Sequence, residues 1–514
     1  MIRVYNTLSK SKEPFQPVRP GQVGIYLCGP TVYKPSHVGH MVGPVIFDAV
    51  KRYLVYSGYQ VTWVVNITDV DDKLIVESNS RKVPMSQLAA EMTADYMRNI
   101  DALGVDTIDH FPRATEHIRH IIEFTADLVE KGFAYESEGD VYFDVSKAKD
   151  YGKLSHRALE SMQGEGGGTA ERKRSAADFA LWKSAKPGEP SWESPWGPGR
   201  PGWHIECSVM SQRLLGETFD IHGGGLDLVF PHHENEIAQS ESCNGKPMAK
   251  YWMHNGLMQS SEEVGKVGGR HARAVEGDMA SQEAGKISKS KGASPFRELL
   301  QEFEPETIRF FLLSTHYRRP IDFSEERIRQ VGIGMDAFYR FFKRYQRVTG
   351  ERFYDIPAPS RRADGDFAPG DSTVLAAVAE HRNRFLDAMD DDFNTGGAIG
   401  DLFELVRRLN KFVDDEKLED AKKPDPEKVA ILKQGAKTLR ELGATLGLFR
   451  KPVREKASGG DALTGKLLDL LVEIRTDSRK AKNFALADKI RNSLAQLGVT
   501  LEDRPGGTEW SLQK

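Results

Sequence analysis

The strongest constraint on the fold is an alternation of strand, turn, helix and strand near the start of the chain. Apolar residues run from Val23 to Cys28 and stop at Gly29-Pro30. Apolar spacing predicts a helix from about His40 to Tyr56 and a second strand from Val61 to Ile67. Such alternation is typical of parallel sheets, which bind ligands beyond the carboxyl ends of their strands. We therefore expect Cys28 and the residues after Ile67 at a ligand-binding edge.

The rest of the chain divides into regions by composition and periodicity. The parallel-sheet pattern returns near residues 219–222 and 251–254, and a proline-rich stretch precedes a region with helical spacing. We expect an α/β fold, in which a Rossmann-like parallel-sheet domain with an insertion is followed by an α-helical bundle and a small C-terminal unit. The predicted regions are 1–320 (with an insertion at about 139–191 and a mobile surface loop at 260–284), connecting helices at 321–355, the bundle at 371–450 and the terminal unit at 466–514.

Composition excludes several classes of protein. The 514 residues contain no apolar run long enough for a membrane span, and the N-terminus lacks the apolar stretch of a secretory signal. Three cysteines are too few for a disulfide framework and suit a reducing cytoplasm. The net charge of -4 gives no overall sign of nucleic-acid binding, so any RNA surface must be local.

Four residues are candidate metal ligands: Cys28, Cys207, His232 and Glu236. His232 and Glu236 are four residues apart and would project from one face of a helix, with Pro231 in its first turn. Two cysteine sulfurs would complete a set that favours zinc. The alternative is that the cysteines are small core residues. A metalloprotease motif is excluded, because Ile237 stands where its second histidine is required.

Two short strings point to chemistry on ATP. His-Val-Gly-His at 37–40 and Lys-Ile-Ser-Lys-Ser at 286–290 resemble the HIGH and KMSKS signatures of class I aminoacyl-tRNA synthetases. Histidines at a helix N-terminus can donate hydrogen bonds to phosphate oxygens. Alone, each string has an ordinary explanation as a surface turn or a solvated loop.

Longer blocks narrow the resemblance to the cysteinyl-tRNA synthetase family. They are similar to that family in sequence and order, and they span residues 1 to about 320. The blocks are Cys28–Tyr33, Asn66–Lys73, Pro201–Cys207, Phe219–Asp227 and Phe230–Glu236.

The resemblance implies a cysteine–tRNA ligase, which uses ATP with Mg²⁺ to activate L-cysteine and then charges tRNA(Cys). It implies one zinc ion per chain on the four candidate ligands, which would select the substrate thiolate without an editing domain. His37, His40, Lys286 and Lys289 would be catalytic, with Gly39, His37, His40 and Lys289 contacting ATP. Thr68, Trp203 and Asp227 would line the amino-acid pocket. Family members of this size lead us to expect a cytoplasmic monomer.

The C-terminal region is the expected place for tRNA contacts. Residues 450–491 carry eleven Lys and Arg against six Asp and Glu, a local excess of five positive charges. A charge run is ordinarily a solvated helix face, but phosphate contacts also favour such a segment. Similarity to the family's anticodon-reading tail implies tRNA-binding roles for Arg479, Asp488, Asp503 and Trp510, and an indole can stack on an unpaired base.

The sequence also departs from the family pattern and leaves two alternatives open. Ile287 replaces the commoner Met, residues 291–293 differ from the usual Leu-Gly-Asn, and the stretch 260–284 is longer than is normal there. One alternative is an enzyme that passes cysteine to a small amine, as mycothiol-pathway ligases do; the region 371–514 disfavours it. The other is a noncatalytic RNA-binding paralogue, which the intact histidine and lysine strings disfavour.

Overall fold

A computed structural model describes residues 1–157, 170–260, 294–420, 425–452, 462–504 and 507–512. Its strands are β1 (Arg3–Asn6), β2 (Ser11–Pro14), β3 (Gln22–Leu27), β4 (Gln60–Val65), β5 (Ala134–Ser137), β6 (Asp140–Phe143), β7 (Phe179–Ser184), β8 (Gly199–Pro201), β9 (Phe219–Gly225), β10 (Ala249–Asn255), β11 (Met258–Ser260), β12 (Ile321–Phe323), β13 (Val499–Arg504) and β14 (Gly507–Leu512). Its α-helices are α1 (Gly39–Tyr56), α2 (Asp72–Arg81), α3 (Met85–Ala102), α4 (Ile118–Glu130), α5 (Ile205–Leu215), α6 (Glu234–Asn244), α7 (Phe296–Glu302), α8 (Pro305–Leu313), α9 (Glu325–Thr349), α10 (Thr373–Asp390), α11 (Thr395–Asp415), α12 (Pro426–Thr445), α13 (Ala462–Lys480) and α14 (Phe484–Gln496).

The predicted parallel sheet is confirmed. Four strands lie in the order β10–β9–β3–β4, and every neighbouring pair is parallel. The chain leaves β3 towards β4 on one side and later returns on the other side to form β9. The strand order therefore reverses between β3 and β9, and parallel sheets bind ligands in the crevice at such a point. Cys28 follows β3 directly and lies at this crevice.

Helix α1 covers the sheet and begins at the crevice. Its buried face includes Met41, Val45, Phe47 and Val50. The ring of Phe47 packs so closely on Gly223 of β9 that a Cβ there would lie 2.2 Å from the ring. A glycine at this point lets the helix approach the strand, which fixes the start of α1 relative to the carboxyl end of β9.

A separate antiparallel sheet is inserted between the two halves of the parallel sheet. Strands β5, β6, β7 and β8 pair in that order. Its core is aromatic, and the rings of Phe143 and Phe179 stack with centroids 5.0 Å apart. This sheet extends from 134 to 201, beyond the predicted insertion at both ends. The described part of 139–191 thus includes regular strands with a buried core.

The chain separates into two compact units, and helices make up most of the described residues after 323. One unit comprises Met1–Glu416 and Pro426–Arg450, and the other comprises Lys417–Asp425 and Lys451–Lys514. The first contains α9 to α12, whose apolar faces pack together as the sequence predicts. The second contains α13, α14 and the β13–β14 hairpin, around Leu468, Leu494, Val499 and Leu501.

Pro231 was expected in the first turn of the helix that carries His232 and Glu236, and it lies in a helical turn that leads directly into α6, whose regular part begins at Glu234. Residues Val229–His233 form a wider π-type turn, and Phe230 within it is extended (φ -141°, ψ 134°). The extended residue interrupts the helical conformation just before Pro231, in the turn that carries His232.

The helices also bear on a membrane location. None of those in the described ranges combines the length and the apolar character that crossing a bilayer requires.

Candidate metal centre and ATP-binding turn

The two predicted cysteine ligands meet at the crevice. Cys28 follows β3, and Cys207 lies in the first turn of α5. Their sulfur atoms are 3.6 Å apart, and both cysteines are free thiols. Cys207 is buried, whereas Cys28 is partly accessible from the crevice. The pair therefore presents two sulfur donors to one point without a disulfide bond.

The predicted histidine and glutamate ligands face the same point. Glu236 Oε1 lies 3.1 Å from His232 Nε2 and 3.5 Å from Cys28 Sγ. The donor atoms of Cys28, Cys207, His232 and Glu236 all lie within 4.8 Å of one another. Two sulfurs, one imidazole nitrogen and one carboxylate oxygen are a tetrahedral donor set of the kind that zinc prefers. The four side chains thus fit a zinc ion, with one ligand each from the end of β3, from α5, from the turn before α6 and from α6.

Two further histidines border this set, and the sequence did not single them out as ligands. His222 Nε2 lies 2.8 Å from Glu236 Oε2, and His233 Nε2 lies 3.3 Å from Cys28 Sγ. Cys28, His222, His233 and Glu236 therefore form a second group with donor atoms within 4.8 Å of one another. For His233, its position next to His232 and before a glutamate could have indicated a ligand. Spacing alone, however, does not distinguish His222 or His233 from core residues.

Burial and neighbouring charges shift the pKa values of the cluster residues in different directions. Burial alone would raise the pKa of Glu236, but His222 and His232 lower it to about 2. Burial alone would lower the pKa of His232, but Glu236 and Cys207 raise it to about 10. Burial raises the pKa of Cys28, while hydrogen bonds from Cys28 and His232 outweigh burial and lower the pKa of Cys207 to about 6. The first sulfur to ionise is therefore that of Cys207.

Hydrogen bonds behind the cluster fix its imidazole rings. His233 Nδ1 lies 2.8 Å from His254 Nε2, and His254 Nδ1 lies 2.8 Å from Thr7 Oγ1. His204 Nδ1 lies 3.0 Å from His232 Nδ1. Outer contacts of this kind determine which ring nitrogen carries the proton and which faces a metal. These contacts thus restrict the orientation of the imidazole rings that face the cluster.

The predicted amino-acid pocket residues lie near the cluster. The indole of Trp203 packs on the His232 ring with centroids 4.4 Å apart, and 38% of this residue is exposed. Thr68, which follows β4, donates a hydrogen bond of 2.9 Å to Glu206, the neighbour of Cys207. Asp227 lies in the turn after β9. Thr68 and Asp227 therefore lie beyond the carboxyl ends of strands of the parallel sheet. Trp203 lies beside the candidate ligand His232.

Next to these residues, the main chain at Gly29 closely approaches the main chain at Asn66. A Cβ on Gly29 would lie 1.7 Å from the carbonyl oxygen of Asn66, and the Gly29 N–H donates to the Asn66 side chain at 2.8 Å. Only glycine allows the two backbones to come this close. Cys28 and Thr68 flank this contact on adjacent segments.

The His37–His40 turn opens α1 and has a defined hydrogen-bond pattern. The Gly39 N–H donates to His37 Nδ1 at 3.1 Å, and the His37 N–H donates to His40 Nδ1 at 3.1 Å. Each Nδ1 is therefore an acceptor, so each neutral ring carries its proton on Nε2. The two rings pack against each other with centroids 3.8 Å apart. The turn thus holds two Nε2–H donors side by side at a helix N-terminus.

Lys286 and Lys289, predicted to be catalytic, lie outside the described residues. The same is true of residues 261–284, which make up most of the long stretch predicted to be a mobile loop.

The predicted tRNA-binding residues lie in the C-terminal unit, and most of them have partners within it. Arg475 contacts both carboxylate oxygens of Asp503, at 2.6 and 2.7 Å, and Arg479 contacts Asp503 at 2.7 Å. These hydrogen bonds hold the pKa of Asp503 well below its usual range. The Trp510 indole N–H donates to Asp469 at 2.7 Å, and Asp488 is exposed.

Comparison with known proteins agrees with this fold. The family model for the class I (C) tRNA synthetase catalytic domain matches residues 14–267 and 273–332, and the DALR domain model matches residues 384–450. Methionyl-tRNA synthetase of Mycobacterium tuberculosis, solved with methionyl-adenylate, is similar in fold. Its TM-score is 0.59 at 17% identity, over 88% of this chain and 94% of that one. The chain is therefore a class I aminoacyl-tRNA synthetase.

Full-length relatives narrow the class. A cysteine–tRNA ligase of Geobacter metallireducens is 44% identical over 521 residues and 100% of both chains. A cysteine–tRNA ligase of Thermococcus onnurineus is 44% identical over 99% of this chain and 98% of its own. The chain belongs to the cysteine–tRNA ligase family.

Proposed function

We propose that the chain joins L-cysteine to tRNA(Cys) at the expense of ATP, and that a zinc ion on Cys28, Cys207, His232 and Glu236 selects the substrate. The observation that carries the proposal is the convergence of two sulfurs, one imidazole and one carboxylate within 4.8 Å at the sheet's switch point. Membership of the cysteine–tRNA ligase family supports the reaction, and the donor set supports the metal.

A bound metal would allow the enzyme to distinguish cysteine from serine, which is difficult by shape alone. Cysteine and serine differ by one atom, and a pocket that separates such analogues by shape gains only about 1–3 kcal/mol. When bound, a zinc ion supplies a soft Lewis acid that takes a thiol in its deprotonated form. A serine hydroxyl is a harder donor and keeps its proton. Trp203 and Thr68, beside the ligand set, would hold the amino acid so that its side chain points to the cluster.

Activation joins the cysteine carboxylate to the ATP α-phosphorus and breaks the bond to pyrophosphate. Such a displacement depends on alignment and on stabilisation of charge. The Nε2–H groups of His37 and His40 would donate to phosphate oxygens, assisted by the positive end of α1. Gly39 has no side chain and leaves room for the nucleotide. Lys286 and Lys289 would neutralise the triphosphate together with Mg²⁺.

Transfer then requires tRNA to reach the same site. A terminal ribose hydroxyl of tRNA(Cys) would attack the activated carbonyl, with AMP as the leaving group. The C-terminal unit would read the anticodon through Arg479, Asp488, Asp503 and Trp510. Because Asp503 and Trp510 already have partners in the fold, their role would be to shape the surface that Arg479 presents. We place this activity in the cytoplasm and expect a monomer.

Three measurements test the proposal in sequence. Zinc content of the purified chain should be about one ion per chain, as expected for a single four-ligand site. Exchange of pyrophosphate into ATP should depend on cysteine and should not occur with serine. Added tRNA(Cys) should then acquire cysteine. Exchange without tRNA charging would favour a small-amine ligase, and charging with serine would contradict selection by the metal.

A further inference from the structure

The residue before the ATP-binding turn is held through both of its main-chain polar groups. The Ser36 N–H donates to Asp95 Oδ2 at 2.9 Å, and the Ser36 carbonyl accepts from the Phe296 N–H at 2.7 Å. Ser36 is 4% exposed. The chain therefore enters the turn from a point fixed on one side by α3 and on the other by the first residue of α7.

Asp95 makes this contact from a buried position. It lies on the inner face of α3 and is 7% exposed. The oxygen that accepts from Ser36 also accepts from the Asn99 side chain at 3.1 Å. The guanidinium of Arg98 lies 4.0 Å from the other oxygen, but its side chain is 70% exposed and makes a weak pair. A buried carboxylate that accepts a main-chain N–H forms a stronger hydrogen bond than a neutral acceptor would.

The fixed point lies one residue from the first ATP-binding histidine. His37 is 6% exposed, and its ring is oriented by the main chain two residues further on, through the Gly39 N–H. The His37 N–H in turn orients the His40 ring. A displacement of Ser36 would therefore move both rings together, and misplacement of binding groups by about 1 Å can reduce a rate by about 100-fold.

We propose that Asp95 is a positioning residue for ATP, which acts by holding the Ser36 main chain so that His37 and His40 present their Nε2–H groups to the phosphates. The proposal rests on the proposed function, because it assumes that this turn binds ATP. The proposal gives α3 a role in positioning the ATP-binding histidines. The sequence of α3 does not indicate this role, because a single aspartate on an amphipathic helix is not part of a motif.

The test compares three variants in cysteine-dependent exchange of pyrophosphate into ATP. Asp95→Leu removes the acceptor at similar volume, Asp95→Asn keeps an oxygen that can accept from Ser36, and Asp101→Leu makes the same change at an exposed position of α3. We expect Asp95→Leu to lower kcat/KM for ATP by about tenfold or more while the KM for cysteine stays within about twofold. Asp95→Asn should recover most of the loss, because the Asn99 amide can rotate to suit the new group. Asp101→Leu should match the wild type.

Several outcomes would overturn the proposal. A folded Asp95→Leu chain with a wild-type kcat/KM for ATP would do so, as would equal rises in the KM values for ATP and cysteine. Equal impairment of Asp95→Leu and Asp95→Asn would contradict the expected recovery and with it the role of the acceptor oxygen. If Asp95→Leu fails to fold, Asn99→Ala provides the test, with a smaller fall in kcat/KM for ATP and an unchanged KM for cysteine as the supporting result and no change as the contradicting one. Absence of exchange in the wild type would instead contradict the proposed function.

Discussion

Arg309 and Asp48 form an ion pair in the interior of the larger unit, with side chains 1% and 0% exposed. Asp48 belongs to α1, and Arg309 belongs to α8. The same guanidinium donates to the carbonyls of Leu446 at 2.9 Å and Leu103 at 3.1 Å. One side chain thus joins the helix that begins at the His37–His40 turn to the end of the helical bundle.

Replacing Arg309 by Met should therefore destabilise the chain strongly. The substitution leaves a buried carboxylate and three carbonyls, those of Leu446, Leu103 and Gly104, without this donor, and breaking one side of a buried pair costs about 3–5 kcal/mol. The free energy of unfolding in urea measures the effect. Arg329→Met, at a half-exposed position on α9, is the control and should change it by less than about 1 kcal/mol. Equal losses in both variants would contradict the interpretation of Arg309.

Asp48 should also contribute to sensitivity towards acid. Burial alone would raise its pKa, but Arg309 and Arg52 lower it overall. Burial also lowers the pKa of Arg309, yet a guanidinium stays protonated throughout the working range. A carboxyl with a lowered pKa stabilises the folded chain above its unfolded pKa of about 3.9, and this contribution is lost as the pH falls towards the folded value.

The free energy of unfolding, followed from neutral pH to below pH 4, tests this linkage. Asp48→Asn should be less stable than the wild type at neutral pH, and the difference should shrink as the pH falls below about 4. A difference that stays constant across this range would mean that the ionisation of Asp48 is not linked to folding.

The third cysteine provides a matched control for the metal site. Cys207→Ser should lose bound zinc, because a hydroxyl is a poor substitute for a thiolate ligand. Its cysteine-dependent exchange should fall by about 100-fold or more, in the range seen when metal sites are disturbed. Cys243→Ser, buried in another core cluster, should keep both zinc and activity. Metal analysis of the two purified chains checks the first point independently of activity, and retention of zinc by Cys207→Ser would exclude Cys207 as a ligand.

His40 should act in the chemical step. His40→Ala removes a donor from the turn, and loss of one such donor typically reduces kcat by about 100-fold to 1,000-fold. Cysteine-dependent exchange measures the loss, and zinc content should not change. His110→Ala, at an exposed position, should leave the rate unaltered. A fall in zinc content in His40→Ala would mean that the turn supports the metal site rather than ATP.

A substitution at Arg479 should affect tRNA recognition without affecting the activation of cysteine. Arg479→Ala should lower kcat/KM for tRNA charging by roughly tenfold, as expected for the loss of about 1.4 kcal/mol of RNA contacts, and it should leave exchange intact. Arg407→Ala, at a largely exposed position on α11, is the charge-matched control. Equal effects of the two variants on charging would argue against a specific role for Arg479.

The parts of the site that are local in sequence were the predictable ones. The strand ending before Cys28 and the helix after His37 were predicted within one or two residues, since apolar spacing and Gly29-Pro30 mark both. The meeting of Cys28 with Cys207 is a long-range contact, which spacing alone did not establish and which the family resemblance implied. His222 and His233 were not assigned, because a buried histidine has the same appearance in a sequence whether it ligates a metal or fills a core. The π-type turn at Val229–His233 was not predicted, because the extended conformation of Phe230 has no sequence signal of its own.

Gly29 has a consequence for variation elsewhere in the chain. Since only an α-hydrogen stands where a Cβ would meet the Asn66 carbonyl, the span between the segments that carry Cys28 and Thr68 is limited by main-chain contact. Repacking of outer side chains would leave that span unchanged, whereas one added methyl group would force the strands apart at the mouth of the crevice. The width of the crevice is therefore determined by the backbone at the end of the sheet rather than by its side chains.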